Sequence, residues 1–232
     1  MTSWPTSPAE LIDVQHALAA TGAERVGAEA WRAGAGHPGA AVGAVVVIFP
    51  RGQTGRGARG DRAWAAAAVL RRRQLLADAT VAVEAAGPYI LGMLALREGP
   101  CLEAAVRALA VVPDVLLVDA TGADHPRRAG LALHLGAVLG LPTVGVTHRP
   151  LLAHGDWPDD VRGAYSWLLL DGSRVGAWVR TRAGARPVAV HAGWRTTLEV
   201  AIEVVLTCSP SHRTPEPFRY ARRLARVARA RR

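Results

Sequence analysis

The chain of 232 residues contains no lysine and no asparagine, so each of its 28 basic residues is an arginine. Against 19 acidic residues this leaves a formal net charge of +9. Arginine forms two-pronged hydrogen bonds with phosphates, although a GC-rich coding bias also accounts for the missing amino acids. The excess of positive charge favours a polyanionic partner such as a nucleic acid, because binding to phosphates releases their counterions.

Cysteine is nearly absent as well, since only Cys101 and Cys208 occur. Two distant cysteines without a C-x-x-C spacing exclude a disulfide-rich scaffold and a cysteine zinc site, and they indicate a reducing cytoplasm. Long apolar runs are also missing, because the most apolar stretch, 130–146, is interrupted by His134 and Pro142. The first residues lack the basic and apolar regions of a signal peptide. The sequence therefore predicts a cytoplasmic protein that has no membrane segment.

Length and composition predict one domain, because 232 residues with 50% hydrophobic content suffice for one sizeable core but not for two. Hydrophobic periodicity predicts strands that alternate with helices, which is typical of α/β layers around a mixed sheet. The predicted helices cover 9–20, 99–111, 130–140, 196–206 and, as a basic C-terminal helix, about 217–232. The predicted strands cover 25–31, 40–49, 114–119, 142–146, 166–170, 175–181 and 187–191.

Three further stretches need interpretation. Residues 34–39 read GAGHPG, a literal G-x-G-x-x-G, but they include a proline and precede a strand, so we interpret them as a hairpin loop. Residues 51–62 are rich in glycine and arginine and are predicted to form a loop. The alanine, leucine and arginine content of 63–86 favours a helix.

Two central segments place carboxylates at predicted element boundaries. The segment 114–128, DVLLVDATGADHPRR, is an apolar strand that ends on Asp119 and continues through a glycine turn. The segment 88–98, PYILGMLALRE, places Glu98 at the start of a helix. Clustered carboxylates are the hard oxygen ligands that Mg²⁺ needs for phosphodiester hydrolysis. From the residues alone the alternative stays open that Asp119 caps a helix and Glu98 is a surface charge in a first turn.

Together these segments resemble the endonuclease V family, whose patterns read roughly PYIPGxLxFRE and VDGHGxxHPRR. The resemblance extends to a C-terminal element at 213–219, RTPEPFR. It implies a single RNase H-like α/β domain over 1–232, with a central mixed β-sheet flanked by helices. It also implies strands within 63–86, of which we assign only 79–85.

The activity that this resemblance implies is that of a metal-dependent endonuclease. Such an enzyme hydrolyses the phosphodiester bond 3′ to deoxyinosine or inosine, with Mg²⁺ as the cofactor and Mn²⁺ as an alternative. Its partner is DNA or RNA that contains deaminated adenine, and we expect the chain to act as a monomer.

The resemblance also implies roles for individual residues. Glu29, Glu98 and Asp119 are the catalytic carboxylates, with Glu29 and Asp119 as metal ligands and Glu98 helping to position metal and water. Tyr89 matches an aromatic wedge that fills the gap left when the target base leaves the duplex. The alternative for Tyr89 is a half-buried tyrosine before a helix. The other residues implied in substrate binding are Gly92, Gly122, His125 and His148.

Several positions depart from the family pattern. Glu29 replaces an aspartate, His148 replaces a lysine, and Trp194 stands where the resemblance places a catalytic histidine. An indole offers one N–H donor and no lone pair for a metal or proton. The nearby His191 either substitutes for it in part or is an ordinary histidine at a strand edge.

These departures leave more than one functional hypothesis. The first is an active nuclease, and the second is a catalytically impaired homologue that binds nucleic acid without efficient cleavage. A small-molecule enzyme on the same scaffold is a third hypothesis, for which no residue names a substrate. The basic C-terminal helix, in turn, either follows a phosphate backbone or is solvated.

Overall fold

The computed structural model describes residues 4–21 and 39–231. Within these ranges the helices are α1 (Pro8–Ala20), α2 (Leu94–Arg107), α3 (Leu131–Leu139), α4 (Leu198–Thr207) and α5 (Glu216–Ala230). The strands are β1 (Ala41–Ile48), β2 (Arg62–Arg71), β3 (Gln74–Glu84), β4 (Val115–Val118), β5 (Thr143–Thr147), β6 (Tyr165–Leu170), β7 (Ser173–Val179) and β8 (Val188–Ala192). The predicted strand 25–31, Glu29 and nearly all of the loop 34–39 lie outside the described residues.

The strands form one mixed sheet in the order β3-β2-β1-β4-β5-β8-β7-β6. β4 lies in the middle and pairs in parallel with both β1 and β5, whereas the remaining pairs are antiparallel. Because β1, β4 and β5 run in the same direction, residues that follow their carboxyl ends meet at one edge of the sheet. The predicted α/β class with a central mixed sheet is confirmed.

The stretch 62–84 forms a β-hairpin of β2 and β3, although its alanine content favours a helix. β2 is buried on both faces: Ala66 and Ala68 pack in the cluster that includes α5, and Ala65 and Ala67 pack in the cluster that includes α2. Small side chains let both helices approach the strand closely, so burial overrides helix propensity here. The prediction that only 79–85 forms a strand was therefore wrong, because the two strands β2 and β3 occupy most of this stretch.

Two helices differ from their predicted bounds in ways that affect the site. Helix α2 begins at Leu94, so Glu98 lies in its second turn rather than before it. Helix α5 buries Phe218, Ala221 and Ala225 against the sheet. A merely solvated tail is therefore excluded for this segment.

None of the helices among the described residues is long and apolar enough to cross a membrane.

Helix α3 buries a histidine that should make the stability of the protein depend on pH. His134 is 1% exposed, packs against the ring of Trp4 at 4.5 Å between centroids, and has no hydrogen-bond partner among the described residues. Burial lowers the pKa of His134 from 6.5 to about 4. As the pH falls, the unfolded chain therefore takes up this proton at a higher pH than the folded protein does. The free energy of unfolding falls as the pH is lowered from 6.5 to about 4.

We expect the free energy of unfolding to fall by about 2–3 kcal/mol through His134 alone when the pH is lowered from about 7.5 to about 4.5. His134→Leu should remove this part of the pH dependence, whereas His16→Leu on the exposed side of α1 should keep it. Urea unfolding at both pH values measures the difference. Equal pH dependence in the two variants would contradict the prediction.

Candidate active site

Asp119 and Glu98 approach each other at the carboxyl end of the central strands. Asp119 directly follows β4, and Glu98 reaches the same cavity from α2. The pKa of the Glu98 carboxyl is raised to about 7, chiefly by burial and in addition by the charge of Asp119, while Arg97 opposes both effects. A divalent cation bound in this cavity would favour the ionised form of Glu98, which burial and the neighbouring carboxylate disfavour.

The neighbouring Arg97 does not neutralise Glu98. Its guanidinium donates to the Gly87 carbonyl oxygen at 2.7 Å and pairs with Asp61 at 3.0 Å. It also lies 4.1 Å from the ring centre of Phe49. The ion pair of Arg97 is therefore with Asp61 and not with Glu98.

The pair of acids fits a divalent metal but does not complete its ligand shell. No group of three potential metal ligands occurs among the described residues. Glu29, the third carboxylate implied by the sequence, lies outside them. Asp119 and Glu98 offer the hard oxygen donors that Mg²⁺ and Mn²⁺ prefer, and a metal held by few carboxylates keeps water as further ligands.

The Asp119 carboxylate is already engaged by a cation from the C-terminal helix. Arg222 of α5 donates from Nη2 to Asp119 Oδ2 at 2.7 Å. The side chains are 23% and 44% exposed, respectively, so the pair is reachable from solvent. From the sequence, Arg222 is predicted only to lie in a basic helix, because a contact across 103 positions leaves no local pattern.

A second, more apolar pocket of about 190 Å³ lies beside the acids. It is smaller than the roughly 300–1,000 Å³ of pockets for drug-sized ligands, and so suits a small planar ring. Its walls come from the loop before α2, the turn after β4 and the loop after β5. The lining residues include Tyr89, Ile90, Leu91, Gly92, Ala120, Thr121, His125, Leu131, Arg149 and Leu151.

Tyr89 stands between the two cavities. Its residue borders both the apolar pocket and the cavity that holds Glu98 and Asp119. The side chain is 45% exposed, and the backbone N–H donates to the Arg56 carbonyl oxygen at 2.7 Å. The glycine- and arginine-rich loop 51–61 thus fixes the backbone of Tyr89 through this hydrogen bond.

The pocket wall at Gly92 is fixed by three donors on one carbonyl oxygen. His125 Nε2 lies 2.9 Å from it, Arg127 Nη2 donates at 2.8 Å and Gln15 Nε2 at 3.2 Å. The Arg127 N–H donates to His125 Nδ1, so we assign the proton of the ring to Nε2. Gly92 itself has φ +73°, a conformation that favours glycine. Gln15 and Arg127 were missed as parts of this wall.

His125 is 3% exposed, and its pKa is lowered chiefly by burial, with Arg127 adding to the effect. It is therefore neutral near pH 7 and shapes the pocket by holding Gly92. Gly122, by contrast, does not line the pocket. A side chain there would meet the Ala192 carbonyl oxygen at 2.0 Å, so glycine is required for the turn to pack against β8.

The loop on the far side of the pocket is held by a buried carboxylate. Asp124 is fully buried and accepts hydrogen bonds from the backbone N–H groups of Leu151, Leu152 and Ala153 at 2.6, 2.8 and 2.8 Å. Three such bonds are charge-assisted and therefore strong. The sequence motif that contains Asp124 predicts no role for it, because its partners lie 27 to 29 positions away.

Trp194 does not stand at this site, contrary to the sequence interpretation. β8 runs antiparallel to β5, so the residues after β8 lie where β5 begins, at the edge opposite to Asp119. Trp194 N donates to Thr143 Oγ1 at 2.8 Å, and its carbonyl oxygen accepts from Thr143 N at 2.9 Å. The indole therefore replaces no group that could act on Asp119.

His191 and His148 occupy different places. His191 is fully buried within β8, opposite Gly145, so it is neither an edge histidine nor in contact with solvent. His148 is exposed directly after β5, and its pKa is lowered by partial burial and by Arg213 and Arg222, while Asp119 raises it. His148 thus lies within electrostatic reach of Asp119.

Comparisons with known proteins place the chain in one family. The endonuclease V family model matches residues 42–223. Endonuclease V of Roseiflexus castenholzii is 42% identical over 171 residues, which are 73% of this chain and 77% of that protein. The crystal structure of Streptomyces avermitilis endonuclease V superposes with a TM-score of 0.83 at 35% identity, covering 97% of this chain and 94% of that one. The catalytic domain of human endonuclease V gives 0.78 at 30% identity, covering 96% and 97%.

Proposed function

This chain belongs to the endonuclease V family, and we propose that it is an active nuclease that hydrolyses the phosphodiester bond 3′ to a deaminated adenine. The proposed substrate is DNA or RNA that contains deoxyinosine or inosine. The proposed cofactor is Mg²⁺, with Mn²⁺ as an alternative. A Ciona intestinalis endonuclease V of the same fold, at 22% identity, has been crystallised with a DNA that contains an inosine.

The observation that carries this proposal is the pairing of two cavities. An apolar pocket of about 190 Å³ adjoins a cavity with two carboxylates, and Tyr89 borders both. An enzyme that reads a base and cuts the backbone beside it needs both parts within about one nucleotide of each other. A small-molecule hydrolase would not need the aromatic side chain at the boundary.

In the proposed reaction each group has a limited task. Asp119 and Glu98, with Glu29, would hold the divalent cation, which when bound activates water and offsets the charge that develops on the phosphate. The ionised Glu98 would position the attacking water by accepting a hydrogen bond from it. Tyr89 stacks in the gap left by the extruded base, and the wall at Gly92 receives that base.

The geometry favours the active hypothesis over the impaired one. The argument for impairment was the joint loss of the family's catalytic histidine and lysine, and Trp194, which was matched to that histidine, lies at the opposite edge of the sheet. Glu98, Asp119 and Tyr89 all face the paired cavities. His148 lies beside the acids but is exposed, so its weaker charge would affect binding more than chemistry.

Cleavage assays test this proposal directly. Purified protein would be incubated with matched DNA and RNA strands that contain inosine or adenine at one position, under Mg²⁺ and then Mn²⁺. We expect a cut 3′ to the inosine with at least one of the metals. Tight binding of inosine strands without cleavage under either metal would instead establish the impaired homologue.

Replacement of the wedge should separate recognition from chemistry. Base stacking on an aromatic side chain contributes about 1–3 kcal/mol, so Tyr89→Ala should lower kcat/KM on inosine strands by roughly 5- to 150-fold. Tyr89→Phe keeps the ring and should stay within about threefold of the parent. Exposed Tyr165 provides the control, since Tyr165→Ala lies on β6, outside the residues that line the pocket. Equal losses in Tyr89→Ala and Tyr89→Phe would contradict the stacking role.

A further inference from the structure

The basic helix α5 brings one arginine into the carboxylate centre. Arg222 contacts Asp119 at 2.7 Å, and its guanidinium lies 5.4 Å from the ring centre of Phe218. Phe218 is 1% exposed and belongs to the core, so the backbone of this turn is anchored. Only the long side chain of Arg222 has to move for the guanidinium to reach another partner.

The surroundings of this arginine are positive rather than negative. Arg222 and Arg213 both depress the pKa of His148, although burial is the larger cause. Arg213 is itself held by the carbonyl oxygens of Arg186 and Pro187, at 2.6 and 2.9 Å. The surface beside Asp119 is therefore a cluster of cations in which Arg222 is the member bound to the acid.

A guanidinium and a divalent cation compete for the same carboxylate. Asp119 Oδ2 accepts a hydrogen bond from Arg222, and two cations on one oxygen would repel each other. Once displaced, a guanidinium needs a new anion, and the phosphates of a bound strand match its planar donors. The neighbouring cations would repel the displaced guanidinium, so its move to a phosphate is favoured.

We propose that Arg222 is an exchangeable counter-ion: it neutralises Asp119 in the metal-free protein and moves to a substrate phosphate when a divalent cation occupies Asp119. This inference rests on the metal site proposed above and adds a substrate-positioning residue to it. Binding of metal and of nucleic acid then becomes cooperative. The metal frees Arg222 to bind a phosphate, and a phosphate that holds Arg222 frees Asp119 for the metal.

Two charge-matched variants test the first half of the exchange. Arg222→Gln removes the competitor, whereas Arg226→Gln removes the same charge from an exposed position one turn further along α5. Titration with Mn²⁺ alone, followed by calorimetry, should show about fivefold tighter binding in Arg222→Gln than in Arg226→Gln, as for an ion pair of about 1 kcal/mol. Equal Mn²⁺ affinities in the two variants would overturn the proposal.

The second half is tested by nucleic-acid binding at several salt concentrations, with and without Ca²⁺ as a hard cation. With Ca²⁺ present, Arg222→Gln should reduce the log–log salt slope by about 1 relative to the parent, since one phosphate contact is lost. Without a cation, its slope should equal that of the parent. A change of slope that does not depend on the cation would reject the exchange.

These readouts do not require cleavage. If the parent never cuts inosine strands while Arg222→Gln binds Mn²⁺ more tightly, the proposed nuclease activity is refuted and the exchange stands. A parent that cuts while both variants bind Mn²⁺ equally would refute the exchange alone.

Discussion

Asp119→Asn should abolish cleavage and the stabilisation of the protein by Mn²⁺, while the fold persists. The amide has nearly the same shape but no charge, so the proposed cation loses its central ligand, and the pKa of Glu98 is then raised by burial but no longer by a neighbouring carboxylate. Because ligands of one metal act as a unit, we expect the cleavage rate to fall by at least about 100-fold. Single-turnover cleavage and thermal unfolding with and without Mn²⁺ provide the two measurements.

The control for this variant is another exposed aspartate in an ion pair. Asp171 pairs with Arg128 at 2.8 Å, is 81% exposed, and lies in the turn between β6 and β7. Asp171→Asn should leave the cleavage rate and the Mn²⁺ response unchanged. If Asp119→Asn retains the Mn²⁺-induced stabilisation of the parent, Asp119 is not a metal ligand.

Asp124→Ala should produce the largest loss of stability among single substitutions at the pocket. It leaves three backbone N–H groups without their acceptor, at a buried position where water does not replace it. An unsatisfied buried group costs about 1–3 kcal/mol, and partial relaxation of the loop reduces the sum, so we expect about 3–5 kcal/mol. Urea unfolding measures this loss, which corresponds to roughly 6–20 °C in Tm.

A matched carboxylate at the surface shows whether burial is the cause. Asp160 accepts from the Gly184 N–H at 2.9 Å and lies 3.4 Å from Arg180, but its side chain is 60% exposed. Asp160→Ala should cost well under about 1 kcal/mol, because water can satisfy the groups that it leaves. A similar cost in both variants would show that Asp124 does not hold the loop in the way described.

The loss at Asp124 should also reach the active site. Leu151 lines the apolar pocket, and its backbone N–H is one of the three groups that Asp124 holds. Release of this segment would loosen the pocket wall opposite Gly92. We therefore expect Asp124→Asn, which keeps one acceptor oxygen, to discriminate inosine from adenine less well than the parent at temperatures where it remains folded.

The amphipathic and apolar patterns of the sequence were sufficient to predict most strands of the sheet and where the central acids lie. A short apolar run followed by a carboxylate predicted both β4 and the position of Asp119, because an acid after a buried strand has to emerge at the sheet edge. The same reasoning failed for 63–86. Alanines favour helix locally, and only helices packed on both faces of β2 make them favourable in a strand.

Matching of motifs also has a physical limit, which Trp194 and Arg222 illustrate. A position that matches a family segment was interpreted as part of the centre, but the antiparallel course of β8 carries Trp194 to the other edge. Arg222, in contrast, lies in no pattern that points to chemistry. It reaches Asp119 because α5 crosses the sheet and anchors Phe218 in the core.

The sequence by itself determined the family, the α/β class and the two acids Glu98 and Asp119, because these depend on local periodicity and on short motifs. Tertiary structure alone decided which distant groups meet those acids. The three donors on Gly92 and the cation on Asp119 come from elements 33 to 103 positions away. Such contacts are set by strand order and helix packing, which a linear pattern of residues does not encode.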